Sequence, residues 1–401
     1  MLPLAEARAK ILAALRPTEP ETVPLPEAWN RVLAADVSAR LTQPPADVSA
    51  MDGYAVRAAD AVAGAVLRVV GSAPAGHPFA GRVGVGEAVR IFTGAFVPEG
   101  ADAILLQEDA EAAEGAVTVK ETVRPGRWIR RAGLDFRAGE RLLPAGRRLT
   151  ARDIGLAAAA NHPWLSVRRR PRVGILATGD EIVLPGEPLP PGGIVSSNAH
   201  ALAALVRAGG GDPVVLPIAP DDRAAIAEAA RAARGLDLMV TTGGASVGEH
   251  DLIRSALGPE GFELGFWKIA MRPGKPLIWG RLGATPLLGL PGNPVSALVC
   301  GVQFLLPALA ALQGLPAGGP PVRMARAGTD LPENDRRFDH LRASLSAGED
   351  GALVATPAPV QDSSMLATLA RAEALILREP HAPALPAGGP VEGVVLAELG
   401  V

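Results

Sequence analysis

RVGILATGDE, Arg172 to Glu181, is an apolar run that breaks off at a polar turn containing glycine. A run this short reads as a buried strand feeding a loop. The same grammar repeats downstream. Asn198 can cap a helix running to Gly209, VVLPIAP (214–220) is a second strand, and Asp221 can cap an alanine-rich helix that closes at Gly235. Leu236 to Val240 is a third strand, and it runs straight into TTGGASVGEHD (241–251). PLIWG (276–280) and PLLGL (286–290) are further strands, and Asn293-Pro294 starts a helix with proline where its missing N–H costs nothing. Strand, loop and helix thus alternate about four times, which predicts a doubly wound parallel sheet.

Outward from this region the pattern changes. Residues 1–16 read as a helix, with Leu4, Ala7, Ile11 and Leu15 at helical spacing. From Pro45 to Gly139 short β-like runs (AVLRVVG, EAVRIFTGA, DAILLQE, GAVTVKET) are cut by glycine and proline, as in a small β-rich module. A helix from Thr150, with Asp153 placed for a capping box, ends at Asn161-His162-Pro163, and the basic joint RRRPR follows. Beyond the linker QGLPAGGPP (313–321), the runs PVRMARA, ALVATPA, ALILRE and GVVLAEL predict a small β-barrel or sandwich.

A chain of 401 residues, 48% apolar, is long enough for roughly two to four domains. Its 39 basic and 42 acidic residues are well mixed and sum to −3, so the footprint of a nucleic-acid binder is missing. The single cysteine, Cys300, excludes an intrachain disulfide and a cysteine-based metal site, and its apolar surroundings predict burial. Glu6, Arg8 and Lys10 interrupt the apolar stretch that a signal peptide needs, so a cytoplasmic protein is expected. No charge occurs between Leu282 and Val322. Gln303, Pro307 and the tight turn LPGNP favour a buried helix there over a membrane span.

Ligands of open α/β sheets bind at the carboxyl ends of strands. Three loops fall there: TGDE (178–181), TTGGASVGEHD and LPGNPVS (290–296). Their glycines let backbone N–H groups approach an oxyanion, with hydroxyls or a helix N-terminus adding to the attraction. Glu181 and Asp251 suit a hard cation such as Mg2+ bridging to phosphate oxygens. KIAMRPGKP (268–276) sets Lys268, Arg272 and Lys275 among apolar residues and a Pro-Gly turn, as a clamp for a tetrahedral oxyanion. Gly244 to Gly248 also spells G-x-S-x-G, a nucleophile elbow at Ser246, with His340 and His381 downstream. The polar GEHD that follows predicts no helix immediately after Ser246, which argues against a serine hydrolase. There is no Walker P-loop and no dinucleotide-binding G-x-G-x-x-G in the right place.

SAMDGYAV (49–56), RIFTGA (90–95), TGDE, TTGGASVGEHD, KIAMRPGKP and GLPGNPVSA (289–297) stand in this order along nearly the whole chain. Together they closely resemble the molybdopterin molybdenumtransferases, the MoeA family, whose eukaryotic relatives include the E domain of gephyrin. The resemblance implies a homodimeric enzyme of molybdenum cofactor biosynthesis. It would insert molybdate into adenylylated molybdopterin with Mg2+, releasing AMP and the cofactor. It implies a multidomain α/β fold: an elongated α/β linker domain (1–45 and 140–169), a β-rich inserted domain (46–139), a MogA-like doubly wound domain (170–316) and a C-terminal β-barrel-like domain (317–401). Transient contact with a molybdopterin adenylyltransferase and with molybdoenzymes would follow, with no nucleic acid and no membrane.

Carried over by motif, Asp52, Thr93, Glu181, Asp221 and Asp251 are the implied catalytic residues, the last three also implied Mg2+ ligands. Asp52 and Thr93 would act in trans, across the dimer. Asp135, Gly243, Gly244, Ser246, Lys268, Arg272, Lys275, Pro276, Pro291, Pro294, Ser296, Arg337 and Ser363 are the implied substrate-binding residues, so Ser246 would donate to an anion rather than attack. The chain departs from the family at Leu134, where a Glu is common, at Arg272, where a Lys is usual, near His340, where an aromatic is usual, and at Asp362, where Gly often stands. A catalytically silent dimeric scaffold of the same fold is the competing reading.

Overall fold

The computed structural model describes residues 1–243 and 249–401, with the backbone alone for residues 249–252. The chain divides into two compact units. One is Thr22–Trp29 with Ala35–Leu165, and the other is Met1–Glu21 with Asn30–Ala34 and Ser166–Val401.

The first unit carries a six-stranded sheet of β1 (Gly53–Val56), β2 (Val66–Ala73), β3 (Glu87–Ile91), β4 (Ala103–Leu106), β5 (Ala110–Ala113) and β6 (Ala116–Val119), in the order β4-β1-β3-β2-β6-β5. Only the β2–β3 pair is parallel. Successive side chains alternate between two cores. Tyr54, Val56 and Leu105 enter one, Ala55 and Ile104 the other, so these strands read as continuous apolar runs. A Cβ on Gly53 would lie 2.0 Å from the Leu105 carbonyl oxygen, so glycine is what lets β1 and β4 approach. The expected capping box forms at the helix Ala151–Ala159, where the Asp153 carboxylate accepts the Thr150 N–H at 2.8 Å.

In the larger unit, β7 (Arg172–Ala177), β8 (Asp212–Val215), β9 (Leu238–Thr242), β10 (Phe262–Trp267), β11 (Ile278–Leu282) and β12 (Thr285–Leu290) form a sheet in the order β8-β7-β9-β12-β11-β10. The first four strands in that order are parallel, whereas β11 and β10 are antiparallel. PLIWG and PLLGL are therefore not both members of the parallel set. Only Gly283 and Ala284 separate their strands, too few residues for a crossover, so they close a hairpin. Helices cover both faces. Asn198–Ala208 and the 294–312 helix pack on one side with the N-terminal helix Leu4–Ala14, and Arg223–Ala232 packs on the other.

Three local expectations change. The cap of the second helix is Asp222, whose carboxylate accepts the Ala225 N–H at 2.9 Å, and not Asp221. Asn198 is the first residue of its helix, where its amide is free to reach sideways. A helix, Glu249–Leu257, does begin just beyond Ser246.

The uncharged stretch forms a helix from Pro294 to Leu312, and 78% of its most apolar window is buried within the protein. A π-helical segment, Gly301–Leu305, interrupts it just before Pro307, which lacks the N–H to continue the ladder. The C-terminal strands β13 (Arg323–Ala327), β14 (Phe338–Ala347), β15 (Leu353–Pro357), β16 (Ala374–Arg378) and β17 (Pro390–Val395) close into a ring, β14-β15-β13-β17-β16 and back to β14. The longest of them, β14, was not among the expected strands.

Candidate functional site

A cavity of about 550 Å3 opens at the carboxyl ends of β7, β9 and β12. Its floor is made by Thr178, Thr242, Gly243 and Pro291, and its walls include Glu181, Pro276 and Ser364. Ser196, Ser197 and Asn198 bring one helix N-terminus to it, and Asn293 and Pro294 bring a second. Two helix dipoles, with their positive ends towards the cavity, thus favour an anion here. Asn198 ties the loops together, its Nδ2 donating to Thr242 Oγ1 at 2.8 Å and to the Gly292 carbonyl at 2.6 Å.

Gly243 has φ of +88°, and a Cβ there would lie 2.4 Å from the Thr178 carbonyl oxygen. The glycine of this loop is therefore a packing requirement as well as a route for a ligand to the backbone. The Thr178 hydroxyl is buried with no hydrogen-bond partner among the described residues, an arrangement that costs free energy unless a ligand or neighbour satisfies it.

Of the residues implied by motif, Glu181, Gly243, Pro276, Pro291 and Pro294 line this cavity. Ser296 is buried in the first turn of its helix. Ser363 lies at the rim, its hydroxyl accepting from Asn293 Nδ2 at 2.9 Å and its carbonyl from the Val295 N–H at 3.1 Å. Asp362 turns to its own loop and accepts the Ser364 N–H at 2.8 Å. Asp221 is not in the wall and donates its N–H to Asp180 Oδ1 at 2.9 Å. Gly244 and Ser246 lie outside the described residues, as does the side chain of Asp251.

The three cations of KIAMRPGKP do not converge. Lys268 places its ammonium 3.6 Å from the centre of the Trp267 ring, a cation–π contact. Arg272 is held by Asp339, with Nε 3.0 Å from Oδ1 and a second bond to Oδ2, and by Asp335 at 3.4 Å. Lys275 is exposed, next to Pro276 in the cavity wall. Arg337 pairs with Asp335 at 2.8 Å, and that ion pair holds the Asp335 carboxyl down at about 2. Arg342, which the sequence reading passed over, is 1% exposed. It donates to the Asp362 carbonyl at 3.1 Å, its Nε has no partner, and no carboxylate pairs with it among the described residues. A charged residue inside a strand is the signal that would have drawn attention to it, had β14 been read as a strand.

In the other unit, Asp52 Oδ1 accepts both the N–H and the hydroxyl of Thr93, at 2.7 and 2.8 Å, and these bonds hold its carboxyl below the ordinary range. Arg90 braces the loop by donating to the Gly53 carbonyl at 3.0 Å while stacking over Tyr54 and Phe92. Asp135 lines a separate cleft with Arg130 and Phe96.

His340 and His381, downstream of Ser246, are differently placed, one buried and one exposed. His340 is fully buried in the barrel and faces the Arg272 carbonyl, and burial pushes its imidazole down to about 4. His381 takes a left-handed backbone conformation in the turn before β17.

Models of three family regions match in order: the MoeA N-terminal region (domains I and II) over residues 2–161, a probable molybdopterin binding domain over 174–311, and the MoeA C-terminal region (domain IV) over 324–396. The chain belongs to the MoeA family of molybdopterin molybdenumtransferases. It is 38% identical over 383 residues to the molybdopterin molybdenumtransferase of Haemophilus influenzae, covering 94% of this chain and 95% of the relative. It is 33% identical to that of Bacillus subtilis, covering 94% and 90%. Among solved structures, a molybdopterin biosynthesis MoeA protein from Pyrococcus horikoshii aligns with a TM-score of 0.84 at 28% identity, over 98% of this chain and all of the other.

Proposed function

We propose that this chain, a transferase of molybdenum cofactor biosynthesis, inserts molybdate into adenylylated molybdopterin and releases AMP. The observation that carries the reading is the cavity at the ends of β7, β9 and β12, where two helix N-termini and the Gly243 backbone face one space. Such a space suits a tetrahedral oxyanion such as molybdate. Lys275 adds an exposed cation next to its wall, and Arg342, which lines a separate cavity with Arg272, Asp339 and Gln361, is a buried cation that lacks a carboxylate partner among the described residues and so favours an anion.

Glu181 stands at the cavity wall with its carboxylate folded over Gly179, and its hard oxygens fit Mg2+. Glu181 and Asp251 would hold that ion, and when bound it would neutralise charge on the leaving phosphate. Asp221, outside the cavity wall, would complete the implied set. A homodimer would bring Asp52 and Thr93 to this site from the second subunit, with the free Asp52 oxygen available to orient substrate.

The test is AMP release from adenylylated molybdopterin by the purified protein with Mg2+, with and without molybdate. Molybdate-dependent AMP formation is expected. A dimer that binds the pterin but forms no AMP would overturn the enzymatic reading in favour of the scaffold.

A further inference from the structure

The turn that follows Met271–Arg272 is fixed from two sides. Behind it, a Cβ on Gly274 would meet Cys300 Sγ at 2.4 Å, so the turn lies directly on the 294–312 helix. Beside it, Met271–Arg272 pairs in parallel with Phe338 and Asp339 at the start of β14, and the Phe338 N–H donates to the Ala270 carbonyl at 2.9 Å. Asp339 is 4% exposed and takes the Arg272 guanidinium through both carboxylate oxygens. The adjoining His340 Nδ1 donates to the Arg272 carbonyl at 3.3 Å. Within four residues of Arg272 the chain reaches Pro276 in the cavity wall.

We propose that Asp339 is a positioning residue: by gripping Arg272 as a strut, it sets the turn that presents Lys275 and Pro276 to the oxyanion. This rests on the reading of the cavity as a molybdate-transfer site. A bidentate guanidinium–carboxylate pair fixes orientation as well as distance, which a single ammonium contact does not. The arrangement gives Arg272 a different task from the anion clamp its motif implies, because its fork is already occupied by a buried carboxylate.

The two roles for Arg272 predict opposite signs. If it is a strut, Asp339→Asn releases the turn and raises KM for molybdate about tenfold, while KM for the adenylylated pterin stays within about twofold. If Arg272 is instead a direct anion donor restrained by Asp339, the same substitution frees a cation, removes a negative charge, and tightens molybdate binding. Titration of the full-length protein with molybdate, alongside AMP release, reads this sign. Tighter or unchanged molybdate binding in Asp339→Asn overturns the proposal. Arg272→Gln should cost about the same as Asp339→Asn, and the double variant no more than either, as for two residues acting as one unit. A merely structural loss would move both substrates' KM together. Should Asp339→Asn fail to fold, Asp339→Glu keeps the charge but displaces the fork, so a rise of about threefold in molybdate KM is expected and an unchanged KM overturns the proposal. Failure of the underlying reading is visible separately, as a wild-type protein that forms no AMP.

Discussion

His340 carries an orphaned nitrogen inside the barrel: Nδ1 faces the Arg272 carbonyl, while Nε2 has no partner among the described residues. Burial is the main cause of its lowered pKa, against the opposing pull of the Arg272 carbonyl and then of Asp339, and the imidazole stays neutral down to about pH 4. The unfolded chain binds that proton near the ordinary value of 6.5. Between these two values the unfolded state therefore holds more protons than the folded state, and stability falls as pH falls, by at most about 1.4 kcal/mol per pH unit from this group. His340→Phe should remove that part of the slope. Urea unfolding of both proteins at several pH values from 4 to 7 checks it, and parallel stability curves would contradict it. The imidazole was legible as a departure near a position where the family usually has an aromatic, and as a histidine downstream of Ser246. That it is sealed depends on strands distant in sequence.

At the scale of elements, the parallel strands and the glycine loops after them were readable because buried strands leave short apolar runs bounded by glycine. β14 was not readable, since Asp339, His340 and Arg342 break the apolar pattern, and Asp339 and Arg342 find their partners, Arg272 and the Asp362 carbonyl, only in the folded chain. The hairpin of β11 and β12 was missed because run and hairpin look alike until the two-residue turn is counted. Asn198 was read as a cap, yet its amide spans two loops, from Thr242 to Gly292. Asn198→Ala leaves the Gly292 carbonyl without this donor and should cost about 1–3 kcal/mol of stability. It should also raise KM for the pterin, as the cavity floor loses its cross-tie. Asn198→Asp, which cannot donate, should behave the same way. Denaturant unfolding paired with AMP release measures both effects.

At the scale of the molecule, the inserted β-rich segment has the makings of an autonomous fold. Its entry and exit strands are hydrogen-bonded to each other, with Ile129 opposite Ser49 and Arg130 opposite Val48. Both of its cores are drawn from residues between Tyr54 and Ile129. A segment whose ends meet and whose core is its own can be excised with little loss. Residues 46–139 expressed alone should therefore melt cooperatively by circular dichroism, and a non-cooperative melt would show that the fold needs the rest of the chain. The β character of this stretch was visible as a shift from helical to β-like composition, whereas its six-stranded order, with one parallel pair inside an antiparallel sheet, left no trace in the sequence.

Cys300 lies sealed beneath the Arg272–Pro276 turn, fully buried, its thiol pushed far above the usual range by burial. The lone sulfur is thus a gauge already installed under the turn proposed to face the oxyanion. Disulfide reagents can reach the thiol only if the turn lifts, so the rate of its modification would count such openings. An occupied site should slow that clock, which turns a residue without chemistry of its own into a witness of when the site is engaged.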